Sequence, residues 1–247
     1  MATVIASPID RRSAERLFYS RMAWLLVGVV FLGFAQSFYL RGLVNVSPRP
    51  NPTLPVSVIA HGLLFSLWML VFVAQTQLVS SGRTDLHMKL GKASMVLALA
   101  ILPMMYLVAV WQVARANQPP FTDPLSWTIV PLAAIPAYAA LVWTGWARRK
   151  KAQWHKRAML GAAILVVMGP AVGRLPIAPP TLGGFAFQMM VGLLLFVPLI
   201  IWDRRTQGHV HAATMLALGL AVLSVAVPIV FLATNTWAPI ARHLPGI

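Results

Sequence analysis

Ionisable residues that could bind a metal or a cofactor are few in this chain and unevenly spread. The 247 residues include six His and five acidic residues. Imidazole nitrogens and carboxylate oxygens suit zinc, iron or copper, and two facing histidines can instead bind a haem iron axially. We therefore expect a transition-metal site or a haem b site from the residues that cluster near three short polar segments: His87, His155, His209, His211, Asp85 and Asp203.

The haem version of this hypothesis uses three histidines that each begin an apolar run, namely His87, His155 and His211. The alternative for each histidine alone is an interfacial side chain that is solvated beside lysines or caps a helix. The sequence contains no HExxH, HxxxH or ExxH spacing. No known metal-binding motif therefore decides whether these histidines are ligands or interfacial side chains.

Two further ionisable residues lie away from this cluster. His61 stands in an apolar stretch, VIAHGLLF, and an ionisable side chain inside a membrane span should face the bundle interior and find a partner. Arg174 follows Arg157 by 17 residues, or about 25 Å along a helix. We expect His61 to form an intramembrane polar site with Arg174 as an anion or propionate clamp. The alternatives are a hydrogen bond from His61 to a neighbouring helix and contact of Arg174 with lipid headgroups.

The elements that must position these residues are membrane helices. The chain is 59% hydrophobic and 10% charged, whereas soluble domains carry about 25% charged residues. The sequence predicts an all-α polytopic bundle with seven transmembrane helices. The predicted spans are residues 22–40, 56–79, 90–113, 127–146, 158–173, 185–202 and 212–233.

Charge predicts the orientation of the bundle. Of the twenty Lys and Arg residues, fifteen lie on the side of the N-terminal arm and the polar segments after the second, fourth and sixth spans. The more basic side is cytoplasmic by the positive-inside rule. We therefore predict a cytoplasmic arm (1–20), one seven-helix membrane domain (21–235) and a short external tail (236–247), in a bacterial inner membrane.

Composition also restricts the partners and the chemistry. The net charge of +15 lies in short loops, which favours anionic lipids over nucleic acid as the counter-charge. The chain has no Cys, which excludes disulfides, iron–sulfur clusters and thiolate zinc sites. A faint repeat is present, in which LHMKLG, WHKRAML and HVHAATML each place a His at the start of an outgoing helix.

Two segments carry a resemblance to a known family. The stretch HGLLFSLWMLVFVAQTQLVSSGRTDLHMKLGKASM resembles a His-span-Gln-turn-His-x-x-Leu-Gly segment found in uncharacterised bacterial multi-pass membrane proteins. WHKRAMLGAAILVVMGPAVGR resembles that family's second segment, a His-basic-basic helix start with an Arg near its far end. The resemblance covers roughly residues 60–175. It is reminiscent of membrane b-type cytochromes, in which paired histidines hold haem, and it implies no activity beyond that.

Three functions are compatible with the sequence. The first is an accessory or structural subunit of a larger membrane complex, because the chain has small loops and few buried ionisable residues. The alternative is a haem-binding or metal-binding redox protein, with ligands at the cytoplasmic ends of spans three, five and seven. The third is a small-molecule or ion transporter with His61 and Arg174 in its path, although transporters usually carry more intramembrane charge.

Overall fold

A computed structural model describes residues 8–43 and 53–247, with side chains from residue 11 onward. Residues 1–7 of the predicted arm and residues 44–52, between the first and second spans, therefore lie outside the described residues. The helices are α1 (Pro8–Phe34), which continues into a π-helical turn (Ala35–Tyr39), α2 (Val56–Ser80), α3 (Thr84–Arg115), α4 (Pro124–Trp127), α5 (Ile129–Ala147), α6 (Ala152–Val172), α7 (Leu182–Leu193), which continues through a 3-10 turn (Leu194–Phe196) into α8 (Val197–Gln207), α9 (Ala212–Thr234) and α10 (Ala238–Ala241).

The predicted all-α fold with seven spans is confirmed. Seven helical segments in the described part of the chain are long and apolar enough to cross a bilayer. The α4–α5 pair forms the fourth span, and the continuous α7–α8 segment forms the sixth. A bilayer offers no water to backbone groups, so an apolar run of this length satisfies its N–H and C=O groups by forming a helix.

The fifth span, α6, occupies the centre of the bundle. It packs against α1, α5, α7 and α9, and nearly every residue from Arg157 to Met168 is buried. The α2 helix packs between α1 and α3, and α3 packs between α2 and α5. The core is therefore organised around α6, while the other spans place much of their apolar surface outward.

Small residues let the helices approach α6 closely. A Cβ atom on Gly161 would lie 2.5 Å from the Cβ of Ala217 on α9. A Cβ atom on Gly33 of α1 would lie 2.3 Å from the carbonyl oxygen of Ala171. Close backbone approach through small residues is a common way for membrane helices to pack.

One end of the bundle gathers the three short connections 81–83, 148–151 and 208–211, and we call this end the basic face. Contacts of α1 with α6 and α8 lie close to two of these connections. Glu15 of α1 pairs with Lys156 of α6, and the Arg11 guanidinium donates to the Thr206 carbonyl of α8. We call the other end of the bundle the opposite face.

Most of the helices begin before the predicted span limits, and the starts of α1 and α6 change the interpretation. The α1 helix begins at Pro8, inside the predicted arm, and runs without a break into the first span. The α6 helix begins at Ala152, six residues before the predicted limit, and so includes Arg157. Lys and Arg were expected to remain in the loop, but Arg157 lies inside the bundle, where a carboxylate compensates its charge.

The predicted tail, residues 236–247, contains α10 and packs against the bundle. The Trp237 Nε1 donates to Thr128 Oγ1 at 2.8 Å. The Tyr106 hydroxyl donates to the carbonyl of Pro245 at 2.9 Å. These bonds hold the tail against the ends of α3 and α5.

Candidate functional site

His87 and His155 come together at the basic face. His87 lies in the first turn of α3 and His155 in the first turn of α6. Their ring centroids are 6.1 Å apart and the ring planes meet at 77°. Both side chains are partly buried. The structure therefore brings together two imidazoles from different spans, with their ring planes nearly perpendicular.

His155 is oriented by the helix that precedes it. Its Nδ1 lies 2.9 Å from the carbonyl oxygen of Gly145 on α5. A carbonyl oxygen only accepts, so Nδ1 carries the proton and donates it, which leaves the Nε2 of the neutral ring with a free lone pair. Such a hydrogen bond from Nδ1 is the usual means of fixing a ligating histidine.

His87 is oriented by Gln75 of α2. The amide orientation that matches donors to acceptors places its nitrogen 2.5 Å from His87 Nδ1 and 3.1 Å from the His87 carbonyl oxygen. The amide oxygen then accepts from the Gly91 N–H at 2.8 Å. In this state His87 Nδ1 accepts and Nε2 carries the proton. A half-turn of the Gln75 amide would present its oxygen to Nδ1 and free the Nε2 lone pair.

His211 lies apart from this pair. Its Nδ1 accepts from the Ala213 N–H at 3.0 Å and caps the start of α9, and its ring packs against Trp154 with centroids 5.5 Å apart. Burial lowers the pKa of His211 below its ordinary value, and the nearby charge of Arg157 lowers it further. The neutral ring is the form that accepts the capping hydrogen bond. His209 is exposed, and its Nδ1 lies 3.0 Å from the Gln207 carbonyl oxygen.

A buried ion pair joins α6 to α8 beneath the basic face. The side chains of Arg157 and Asp203 are 1% and 0% exposed. The Arg157 Nε and Nη2 donate to Asp203 Oδ1 at 2.8 and 2.5 Å. Gln153 accepts from the same guanidinium through its backbone carbonyl, at 3.1 Å, and through its side-chain oxygen. A buried charge needs this degree of compensation.

The second oxygen of Asp203 ties α9 into the same network. Oδ2 accepts from the Thr214 hydroxyl at 2.6 Å and from the His211 backbone N–H at 3.0 Å. Both carboxylate oxygens therefore have close donors, and the structure gives Asp203 a structural role. Asp85 is exposed in the first turn of α3. Across residues 8–43 and 53–247, no group of three His or acidic residues is arranged to hold a metal ion.

The sequence did not single out Arg157 as a member of the site, because six basic residues between 148 and 157 favour a solvated loop. Its position was a usable signal. Arg157 precedes Leu160, Gly161 and Ile164 by three, four and seven residues, so it shares the apolar face of α6. The same spacing places Gln153, four residues before Arg157, on this face.

His61 and Arg174 lie at the opposite face. The guanidinium of Arg174 is close enough to interact electrostatically with the His61 ring. It also donates to the Pro170 carbonyl at 2.5 Å and lies 4.3 Å from the centroid of the Phe34 ring. Arg174 follows His155 by 19 residues, or about 28 Å along a helix. It is therefore too far from the His87–His155 pair to share one ligand with it.

Comparison of the chain with protein-family models, curated proteins and solved structures finds no match.

Proposed function

We propose that this integral membrane protein is a redox protein that binds haem b between His87 and His155. The observation that carries the proposal is the 6.1 Å separation of the two ring centroids. If the Nε2 atoms of both rings pointed at one iron, with bonds of about 2 Å, the two ring centroids would lie about 6 Å apart. The ligands would come from spans three and five, without His211.

Two neighbouring groups could orient His87 and His155 as ligands of a haem. The His155 Nδ1–H already donates to Gly145, which directs a free lone pair from Nε2. Gln75 reaches the corresponding atom of His87 and can supply either a donor or an acceptor. Binding through His87 would require the acceptor, and a Gln75 amide turned in this way would lose its hydrogen bonds with the His87 carbonyl and the Gly91 N–H.

The basic face also supplies positive charge for the two propionates of a haem. Lys151 precedes His155 by four residues, about one helical turn, whereas Lys89 and Lys92, two and five residues after His87, project from other sides of α3. Lysine and arginine bind carboxylates through charge-assisted hydrogen bonds. Haem bound in this way supplies one-electron transfer, and the protein supplies its two ligands and their orientation.

The test is an absorption spectrum of the full-length protein purified in detergent, oxidised and then reduced with dithionite, together with metal analysis. We expect a Soret band that is lost in His87→Ala and His155→Ala. His211→Ala is the matched control, because it removes a histidine at the same face and should keep the band. A colourless wild-type protein, or a band that survives both substitutions, would overturn the proposal.

A role as a subunit of a larger complex is the second proposal. Its support is the shortness of the connections on the basic face, residues 81–83, 148–151 and 208–211. A redox protein with such connections has little surface of its own for a second substrate, and a partner would have to supply or accept its electrons. Extraction from native membranes in a mild detergent tests this, since a chain that migrates at its own mass would argue against a stable complex.

A further inference from the structure

A run of four basic residues connects α5 to α6, and we call residues 148–151 the basic turn. All four of its side chains are exposed: Arg148, Arg149, Lys150 and Lys151. The sequence contains no acidic residue between Asp123 and Asp203. The other two connections of the basic face each have a carboxylate within five residues, Asp85 and Asp203 respectively. The basic turn is therefore the most positively charged of the three connections.

The carboxylates of the protein do not compensate this charge. In the described part of the chain, Glu15 pairs with Lys156 and Asp203 pairs with Arg157, and these are the only two ion pairs. Neither pair includes a residue of the basic turn. Like charges at such short spacing repel one another, so an anion from outside the protein would stabilise the basic turn.

Tryptophans on both sides of the basic turn hold its two arginines in place. The Arg148 Cζ lies 3.6 Å from the centroid of the Trp154 ring, which also packs against His211. The Arg149 Cζ lies 4.5 Å from the centroid of the Trp146 ring, and its Nη1 donates to the Trp146 carbonyl at 3.0 Å. A guanidinium held over an aromatic ring is pre-organised, and its planar fork of N–H donors matches the oxygens of a phosphate.

The basic turn stays close to the membrane surface. The Arg149 N–H donates to the Trp146 carbonyl at 3.2 Å, and the Lys151 N–H donates to the Arg148 carbonyl at 2.8 Å. These hydrogen bonds keep the turn directly at the ends of the fourth and fifth spans. Tryptophan rings at span ends prefer the level of the lipid headgroups. The phosphates that reach the two arginines at this depth are those of lipids.

The basic turn also leaves space for a headgroup. An open depression of about 450 Å³ is lined by Ala147 and the four residues of the turn. Sites for small organic ligands have volumes of about 300–1,000 Å³, so this depression has room for a phosphate group and its attached glycerol. It lies where two spans end, so the acyl chains of a bound lipid would remain within the bilayer.

We propose that the basic turn is a selective binding site for one anionic phospholipid, whose phosphate is bound by Arg148 and Arg149. Contact with a bilayer does not by itself require such selectivity. A headgroup with a net negative charge is favoured, because a zwitterionic headgroup would bring its own cation to a site that already has four. The site uses neither His87 nor His155, so it does not depend on the proposed haem.

The experiment is native mass spectrometry of the full-length protein in detergent, titrated with phosphatidylglycerol and, separately, with phosphatidylcholine. The spectrum counts the lipids that are bound to each protein molecule. A cation near an anionic lipid surface contributes about fivefold to the affinity. We therefore expect the first phosphatidylglycerol to bind at least about tenfold more tightly than phosphatidylcholine. Equal affinities for the two lipids would overturn the proposal.

Paired substitutions locate the site. Arg148→Gln combined with Arg149→Gln should lower the affinity for the first phosphatidylglycerol by about 25-fold, at about fivefold for each cation. The matched control is Arg204→Gln combined with Arg205→Gln, which removes the same charge from exposed positions of α8 on the same face. This control should change the affinity much less. Equal losses in the two double variants would show a general effect of the basic face and would contradict a site at the basic turn.

Two further measurements separate the site from net charge and from other anions. Arg148→Lys combined with Arg149→Lys keeps the charge but removes the planar fork, and it should bind phosphatidylglycerol severalfold more weakly than the wild type. Unchanged affinity in this variant would argue against the proposed role of the arginines. Soluble glycerol phosphate or polyglutamate should not displace the lipid at equal concentration. Displacement by either would show that the site does not require a lipid.

Discussion

At the scale of single residues, the main stabilising contact beneath the basic face is the buried ion pair between Arg157 and Asp203. Both side chains are fully enclosed, and each charge is compensated mainly by the other. The net value of such a pair is small, because desolvation offsets most of the attraction. Removing one partner is different, since it leaves the other charge buried and uncompensated.

We therefore predict that Arg157→Met and Asp203→Asn each lower the free energy of unfolding by about 3–5 kcal/mol. The double variant should lose less than the sum of the two, because neither charge is then stranded. Chemical unfolding in detergent, followed by circular dichroism, measures all four states of this cycle. As a control, Lys150→Met, at an exposed site in the preceding loop, should change the free energy of unfolding little. If the losses of the two single variants simply added in the double variant, the prediction would be wrong.

Single residues also show how far sequence could predict the site. The clustering of His87 and His155 follows from their positions at the starts of two outgoing helices. Their orientation does not follow, because it depends on Gln75 and Gly145, which lie on the preceding helices. The partner of His155 is a backbone carbonyl, and every residue type has one, so the sequence does not identify it.

At the scale of elements, each hairpin on the basic face is closed by a hydrogen bond back to its incoming helix. Gln75 holds His87 in the first, the Gly145 carbonyl holds His155 in the second, and Asp203 holds the backbone of His211 in the third. The repeated helix starts in the sequence therefore correspond to three similar hydrogen bonds between consecutive helices. The group on the incoming helix is a side-chain amide, a backbone carbonyl and a carboxylate in turn. Whether they arose by duplication stays a prediction.

The packing of α1 on α6 gives a prediction at this scale. Gly33→Ala places a Cβ atom against the Ala171 backbone, which cannot move without shifting α6, so the helices must separate. Gly28→Ala is the matched control on the same helix, because nothing lies within 4 Å of its added Cβ.

We expect Gly33→Ala to lower the Tm by several degrees and Gly28→Ala to leave it unchanged or raise it slightly, since alanine favours helix. Thermal unfolding of the two variants, measured side by side, tests this difference in Tm. Equal Tm values would show that α1 can move away from α6 without loss.

At the scale of the whole molecule, the seven spans were predictable from long apolar runs separated by charged turns. Such a run must form a helix in a bilayer, because its backbone groups have no water to bind. The central position of α6 was not predictable by the same argument. The spans are apolar on every side, so hydropathy does not say which face meets lipid. In retrospect α6 differs in being the least apolar span, as suits a helix enclosed by protein.

The orientation of the bundle stays a prediction from charge, and the absence of Cys makes it simple to test. Lys150 on the basic face and Thr236 on the opposite face are both exposed, so a single cysteine at either position would be accessible. In intact bacterial cells, a membrane-impermeant maleimide should label Thr236→Cys and leave Lys150→Cys unlabelled until the cells are opened. The reverse pattern would contradict the predicted cytoplasmic position of the basic face.

The Arg157–Asp203 pair has a consequence for the growing chain. Asp203 emerges from the ribosome 46 residues after Arg157, a delay of about 2–9 seconds at 5–20 residues per second. During that interval the least apolar span carries a cation whose carboxylate does not yet exist. Until the sixth span is synthesised, its guanidinium has the oxygens of Gln153 on the same helix as acceptors but not the carboxylate of Asp203.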